Sequence, residues 1–301
     1  MIRALLLAAR PKTLPAAVAP VALGSALAWR LTGQFSWLLA WCTLGSTISI
    51  QIATNYFNDA VDAGKGADTA ARLGPLRATA AGLLTTRQML GAGMIMLSMA
   101  VLISLPMVAA RGWPVVVIGV VSLFFSYGYT GGPVPLAYRG LGEIFVLLFF
   151  GLVAVAGTVF VQTGQWREEA LLLGTQVGML STVLIAINNL RDRMEDAGSN
   201  KRTLAVRLGE RFARIEITAF CLGPHGLWLG WSRYDLGVDF LPAGAALVLG
   251  FLVAWRVWVT PPSRAFNKFL ALSALHLVAW TGLMVWALLR SRGYCGGGEG
   301  G

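Results

Sequence analysis

Charge is scarce in this sequence. Only 13% of its 301 residues are Asp, Glu, Lys or Arg, while 56% are apolar and the mean hydropathy is +0.67. A soluble domain of this size needs more charged surface than that, so the composition excludes one and leaves an integral membrane protein. Acids number 14, and lysine is rarer still: Lys12, Lys65, Lys201 and Lys268 are the four, the other basic residues being arginine. The three cysteines, Cys42, Cys221 and Cys295, stand at no disulfide or metal spacing and read as inert. His225 and His276 each lie alone in an apolar run, where a histidine is more often a packing residue than a ligand.

What the chain has in quantity is apolar length. Stretches free of charge run 13–29, 31–58, 88–110, 112–138, 144–166, 170–190, 217–232, 240–255 and 269–289. A span needs about 20 mostly apolar residues. The sequence therefore predicts an all-α integral membrane protein of nine transmembrane helices. The runs at 217–232 and 240–255 are short, but Glu216 and Arg256 at their ends can snorkel. Residues 1–12 read as a cytoplasmic segment with a short amphipathic helix, residues 13–290 as the membrane domain, and 291–301 as a flexible Gly-rich tail. Ala26-Leu27-Ala28 resembles a signal-peptide cleavage site, but Pro15 and Pro20 interrupt the preceding apolar core, which favours a retained first helix.

The net charge of +10 follows topology and requires no nucleic acid. With the N-terminus cytoplasmic, every basic residue falls on the inner side except Arg30, Arg111, Arg167, Arg233, Arg290 and Arg292. The positive-inside rule thus predicts N-in and C-out in a cytoplasmic membrane, with the charged loops on the inner face.

Two of those loops concentrate charge and amide groups. In the first, Asn55, Asn58, Asp59 and Asp62 recur at i, i+3, i+4 and i+7, one face of the last turns of the second helix. Asp68, Arg72 and Arg77 follow in a segment punctuated by Gly64, Gly66, Gly74 and Pro75. In the second, Asn188, Asn189, Asp192 and Asp196 end the sixth helix, and Lys201 and Arg202 follow. Ile185-Ala186-x-Asn188-x-x-x-Asp192 repeats Ile52-Ala53-x-Asn55-x-x-x-Asp59, four spans apart, so both acidic ends emerge on the same membrane face. Five carboxylates crowded into a partly dry site would force protonation unless cations held them. Acids beside arginines therefore suggest a diphosphate neutralised by Mg²⁺. The Gly- and Tyr-rich segment 126–143, with Tyr127, Tyr129, Tyr138 and Arg139, is either an interfacial anchor or part of a pocket wall.

The strings NYFNDAVDAGKGADTAARLGPLRATAAG, RPKTLPAAVAPVALG, YTGGPVPLAYRGLGE and NNLRDRMEDAGSNKRTLAVRLG, in this order, resemble the UbiA superfamily of membrane prenyltransferases. More closely they resemble the branch acting on 1,4-dihydroxy-2-naphthoate in menaquinone synthesis. The resemblance implies nine helices around a central cavity, with two Asp-rich motifs that hold Mg²⁺ and the diphosphate of a polyprenyl donor. It carries the first motif onto Asn58, Asp59 and Asp62, with Gly66 in place of its last acid and Asp68 as the replacement. The second motif falls on Asp192 and Asp196, and the diphosphate-binding bases on Lys201 and Arg202, with Arg72 and Arg77 as helpers. Asp62, Asp192, Asn58 and Lys201 are the implied catalytic set. Asn55, Asn188, Asn189, Tyr127, Tyr129, Tyr138 and Arg139 are candidates for contact with the acceptor or the carbocation. Another acceptor such as 4-hydroxybenzoate, and more remotely a secondary transporter, are the rival readings.

Overall fold

The computed structural model describes residues 1–65, 73–75, 77–133, 135–234, 236 and 244–290, and among them every regular element is helical. The Gly-rich tail, 291–301, lies outside the described residues.

Local chemistry sets most helix ends. A short helix α1 (Ile2–Ala8) is followed by a 54° bend into α2 (Pro15–Thr32), whose first position is the proline that suits a helix start. Ser36 caps α3 (Trp37–Gly64), its Oγ accepting the Leu39 N–H at 3.3 Å. Thr85 and Gln88 form a capping box that opens α4 (Thr86–Arg111). Gly112, at φ 70°, turns the chain directly into α5 (Trp113–Gly128). Then come α6 (Gly142–Thr163), α7 (Glu169–Arg191), the single-turn α8 (Arg193–Gly198), α9 (Leu204–Gly226), α10 (Leu247–Val259) and α11 (Phe266–Arg290).

Every predicted run contains a helix, but length and hydropathy carry fewer spans than the nine expected. Among the described residues five helices, α3, α4, α6, α7 and α11, are long and apolar enough to cross a bilayer, and six if α1 and α2 count as one broken span. Helices α5 and α10 are apolar but shorter. Helix α9 differs for a physical reason. Its backbone leaves helical geometry at Gly209 (φ 85°, ψ 175°), and the stretch that follows carries Arg214 buried within it, donating to the carbonyls of Val257 and Thr260 and to Glu210.

Helix α7 is the centre of the bundle. In its most apolar stretch 72% of residues are buried, against 17% for α4, so α7 is surrounded by protein while α4 presents its side chains to lipid. The main core gathers Leu23 and Leu27 of α2, Val155 and Val159 of α6, Leu173, Leu180 and Ile187 of α7, Ile217 of α9, and Leu277 and Trp280 of α11. Helices α6 and α7 meet through small residues: a Cβ added at Gly151 would lie 2.4 Å from the Gly174 carbonyl oxygen and 2.7 Å from the Gly178 Cα. A π-helical stretch, Leu147–Val153, coincides with this contact. The two histidines are not isolated. Their rings are parallel within 4° and their Nε2 atoms are 3.3 Å apart, a polar pair between α9 and α11.

Candidate active site

The last two turns of α3 carry the first cluster where the spacing placed it. Asn55, Asp59 and Asp62 are buried and Asn58 is half-buried. Each has a distinct partner. Asp59 accepts the backbone N–H groups of Ala78 (3.0 Å) and Thr79 (2.8 Å), which fixes the returning loop against α3. Asp62 meets Arg77 Nη2 at 3.1 Å through Oδ2 and accepts the Tyr138 hydroxyl at 2.9 Å through Oδ1. Asn58 accepts a short hydrogen bond from the Thr130 hydroxyl. Asn55 donates to the Ala9 carbonyl (2.9 Å) and to Thr13 Oγ1 (3.4 Å), tying the N-terminal segment to α3.

The second cluster stands opposite. Asp192 ends α7, and the helical path continues through it, because Asp192 N–H bonds to Asn188 O and Asp196 N–H to Asp192 O. Arg191 grips the Asp192 carboxylate with two 2.7 Å bonds and also reaches Asn267. Asp196 lies 3.4 Å from Lys201 Nζ through Oδ1, while its Oδ2 is buried with no hydrogen-bond partner. Burial pushes the Asp196 carboxyl up to about 6, against the pull of Lys201 and with the help of Asp192 and Asp62. Asn189 turns away from this group to donate to Glu143 at 2.6 Å, and Asn188 donates to Leu184 O in its own helix.

Tyr138 joins the two clusters. Its hydroxyl bonds Asp62, the Lys65 ammonium sits 3.9 Å above its ring, Lys201 lies 5.9 Å from the same ring, and its carbonyl accepts the Arg202 N–H at 3.1 Å. Burial, and then Asp62, raise the Tyr138 phenol above its ordinary range, so it stays a hydrogen-bond donor. Burial also lowers the Lys65 ammonium, with Asp62 opposing. Segment 126–143 is thus part of a cavity wall at Tyr129 and reaches the acidic site at Tyr138, while Tyr127, Arg139 and Arg202 are exposed. Asp68 and Arg72 lie outside the described residues.

Below the charged mouth, a cavity of about 120 Å³ is lined by Asn55, Asn58 and Asn188, Tyr129, Thr13 and Arg10. It shares Gln51, Thr54, Phe145 and Phe150 with a larger apolar cavity between α3, α4, α5 and α6. Three participants lie within the quoted strings, yet the sequence reading gave none of them a role at the site: Arg10, Lys65 and Thr130.

The donor set is carboxylate and amide oxygen, which suits a hard divalent ion, and the bare buried Asp196 Oδ2 is consistent with one. Among the described residues no three acids, histidines or cysteines converge closely enough to hold a metal by themselves.

Residues 17–278 match the profile of the UbiA prenyltransferase family. Two proteins named 1,4-dihydroxy-2-naphthoate octaprenyltransferase are similar to this chain. The one from Escherichia coli (strain K12) is 37% identical over 240 residues, covering 74% of this chain and 77% of the relative. The one from Haemophilus influenzae is 38% identical over 215 residues, covering 69% and 70%. In fold, the chain is similar to a UbiA homologue from Archaeoglobus fulgidus bound to GPP and Mg²⁺, with a TM-score of 0.61, 13% identity, and coverage of 93% of this chain and 99% of that one.

Proposed function

This chain belongs to the UbiA prenyltransferase family and is a multi-pass membrane polyprenyltransferase, and from that premise we propose that its acceptor is 1,4-dihydroxy-2-naphthoate. The donor is a polyprenyl diphosphate, and diphosphate and CO₂ leave, as one step of menaquinone synthesis. The observation that carries this reading is identity of 37–38% to proteins of that name across more than two thirds of both chains. The transport reading has no comparable support.

Asn58, Asp62, Asp192 and Asp196 are the residues that would hold Mg²⁺, with Asp68 as a further acid of the first motif. Asp59 belongs to the same set through the loop it fixes. A bound Mg²⁺ would neutralise the diphosphate and assist its departure. Arg77, Lys201, Arg202 and Arg72 supply positive charge for the leaving group. When the allylic C–O bond breaks, its electron pair goes to the diphosphate and an allylic cation remains. The apolar cavity below the site keeps water from that cation, and Tyr129 faces the same space. The ring carbon bearing the carboxylate attacks the cation. The bond to the carboxylate then breaks, its electrons restore the aromatic ring, and CO₂ departs. Asn55 and Asn188 contact the acceptor from the cavity wall. Asn189 acts on it indirectly, through Glu143 and the packing of α7.

The protein sits in the cytoplasmic membrane with its charged mouth on the inner side. The test is turnover in lipid with Mg²⁺, a polyprenyl diphosphate and either 1,4-dihydroxy-2-naphthoate or 4-hydroxybenzoate. Prenylated naphthol with one CO₂ per product supports the reading. Product only from 4-hydroxybenzoate, without CO₂, moves the acceptor elsewhere in the family.

A further inference from the structure

A second basic site lies outside the one described above. Where α2 and α11 begin, a surface cleft is lined by Lys12, the 73–75 segment, Arg264, Asn267 and Leu270. Lys12 stands in the 3₁₀ turn Pro11–Thr13 at the bend between α1 and α2, and Arg264 two residues ahead of α11. Both are exposed, and among the described residues neither forms an ion pair. None of the described residues that line the cleft is acidic. Two cations brought from opposite ends of the sequence to one cleft, with no acid between them, make a place that favours an anion.

Depth selects the anion. Helix α11 runs 25 residues, about 37 Å, which exceeds the ~30 Å hydrocarbon layer. Its first residues therefore emerge at the level of the lipid headgroups. Asn267 fixes the face of the membrane: its Nδ2 donates to the Leu73 carbonyl at 3.0 Å, and its Oδ1 accepts from Arg191 at 2.7 Å, the arginine that grips Asp192. The cleft thus opens on the same face as the charged mouth, and Leu270, buried beside it, gives it an apolar floor. Long basic side chains on an apolar floor at headgroup depth match a lipid phosphate better than an ion from bulk water.

We propose that this cleft binds the phosphate headgroup of an anionic phospholipid, and that its occupancy steadies Asp192 through Asn267 and Arg191. The site is separate from the one suited to diphosphate, where Arg77 and Lys201 stand beside Asp62 and Asp196. Asn267 joins the two: the amide that pins the 73–75 segment along the cleft is the amide that orients Arg191.

The experiment reads lipid retention by native mass spectrometry on protein released from nanodiscs of phosphatidylglycerol mixed with phosphatidylcholine, together with turnover in discs of each composition. Wild type should retain phosphatidylglycerol over phosphatidylcholine by roughly tenfold or more, the pull of two bases on one anionic headgroup. The double variant Lys12→Gln, Arg264→Gln should lose that preference, and both positions are exposed, so its melting temperature in phosphatidylcholine discs should match wild type. Arg87→Gln, Arg211→Gln removes the same charge from exposed positions outside the cleft and should keep the preference. Turnover should be roughly twofold or more faster in discs containing phosphatidylglycerol, and Asn267→Ala should lose that response while still retaining the lipid. Equal retention of the two lipids by wild type, or equal loss in the two double variants, overturns the site. Inorganic phosphate that raises turnover in phosphatidylcholine discs as much as phosphatidylglycerol does overturns the lipid as its ligand. Retention without any effect of lipid on turnover overturns the link to Asp192. Retention is read without substrate, so a wild type inactive on naphthoate overturns the functional reading and leaves the cleft to be judged by its lipid.

Discussion

The Tyr138 hydroxyl donates to Asp62 Oδ1 over 2.9 Å, and this bond ties the loop between α5 and α6 to the end of α3. It leaves Asp62 with one oxygen on a phenol and the other on Arg77. Two of the four sequence motifs thus meet at one carboxylate.

Tyr138→Phe removes that donor and keeps the ring under Lys65. A hydrogen bond to a buried charge is worth enough that kcat should fall about ten- to a hundredfold. The Mg²⁺ concentration for half-maximal rate should shift, because Asp62 loses its orientation. Unchanged kcat and metal dependence would show the bond to be incidental.

Asp62→Asn and Asp192→Asn should each lower turnover by at least ~100-fold, the scale of losing one element of leaving-group stabilisation. Both proteins should still elute as monodisperse species in detergent. EDTA should reproduce the loss in wild type, and added Mg²⁺ should reverse it. Persistence of activity in EDTA would remove the metal from the mechanism.

Gly151→Ala places a methyl group against the Gly174 carbonyl, where the backbone of α7 cannot yield. The cost should be about 1–3 kcal/mol, read as a lower melting temperature in detergent. Gly282→Ala, in α11 with nothing within 4 Å of the added carbon, is the control and should melt like wild type.

His276→Leu breaks the pair with His225. Interhelical polar contacts in membranes contribute about 0.6 kcal/mol on average, so the melting temperature should fall slightly while kcat and both KM values hold. A large drop in kcat with unchanged melting would give the pair a part in the chemistry.

The sequence made the acidic helix ends legible because period and composition coincide there: Asn55, Asn58, Asp59 and Asp62 lie on α3 as their spacing requires. It could not distinguish their duties. Asp59 and Asp62 are three residues apart, yet one holds a loop through backbone N–H groups and the other meets side chains from two loops. Those partners lie 15 to 76 residues away, beyond any local pattern. Asn189 shows the reverse: the right residue type in the right motif, turned to Glu143 by α6. The charge-free run stops short of Arg214 for a related reason, since charge on a helix reads as an end unless its partners on α10 are known.

The contrast between α7 and α4 has a kinetic meaning. The larger cavity is walled in part by Ala100, Val101 and Met107 of α4 and by Val115 and Ile118 of α5, elements that are sparsely covered by the rest of the protein. A long isoprenoid tail reaches such a wall from the acyl phase and not from water. The concentration that governs its capture is then its mole fraction in the bilayer, so diluting it with inert lipid should slow the reaction as effectively as withholding it.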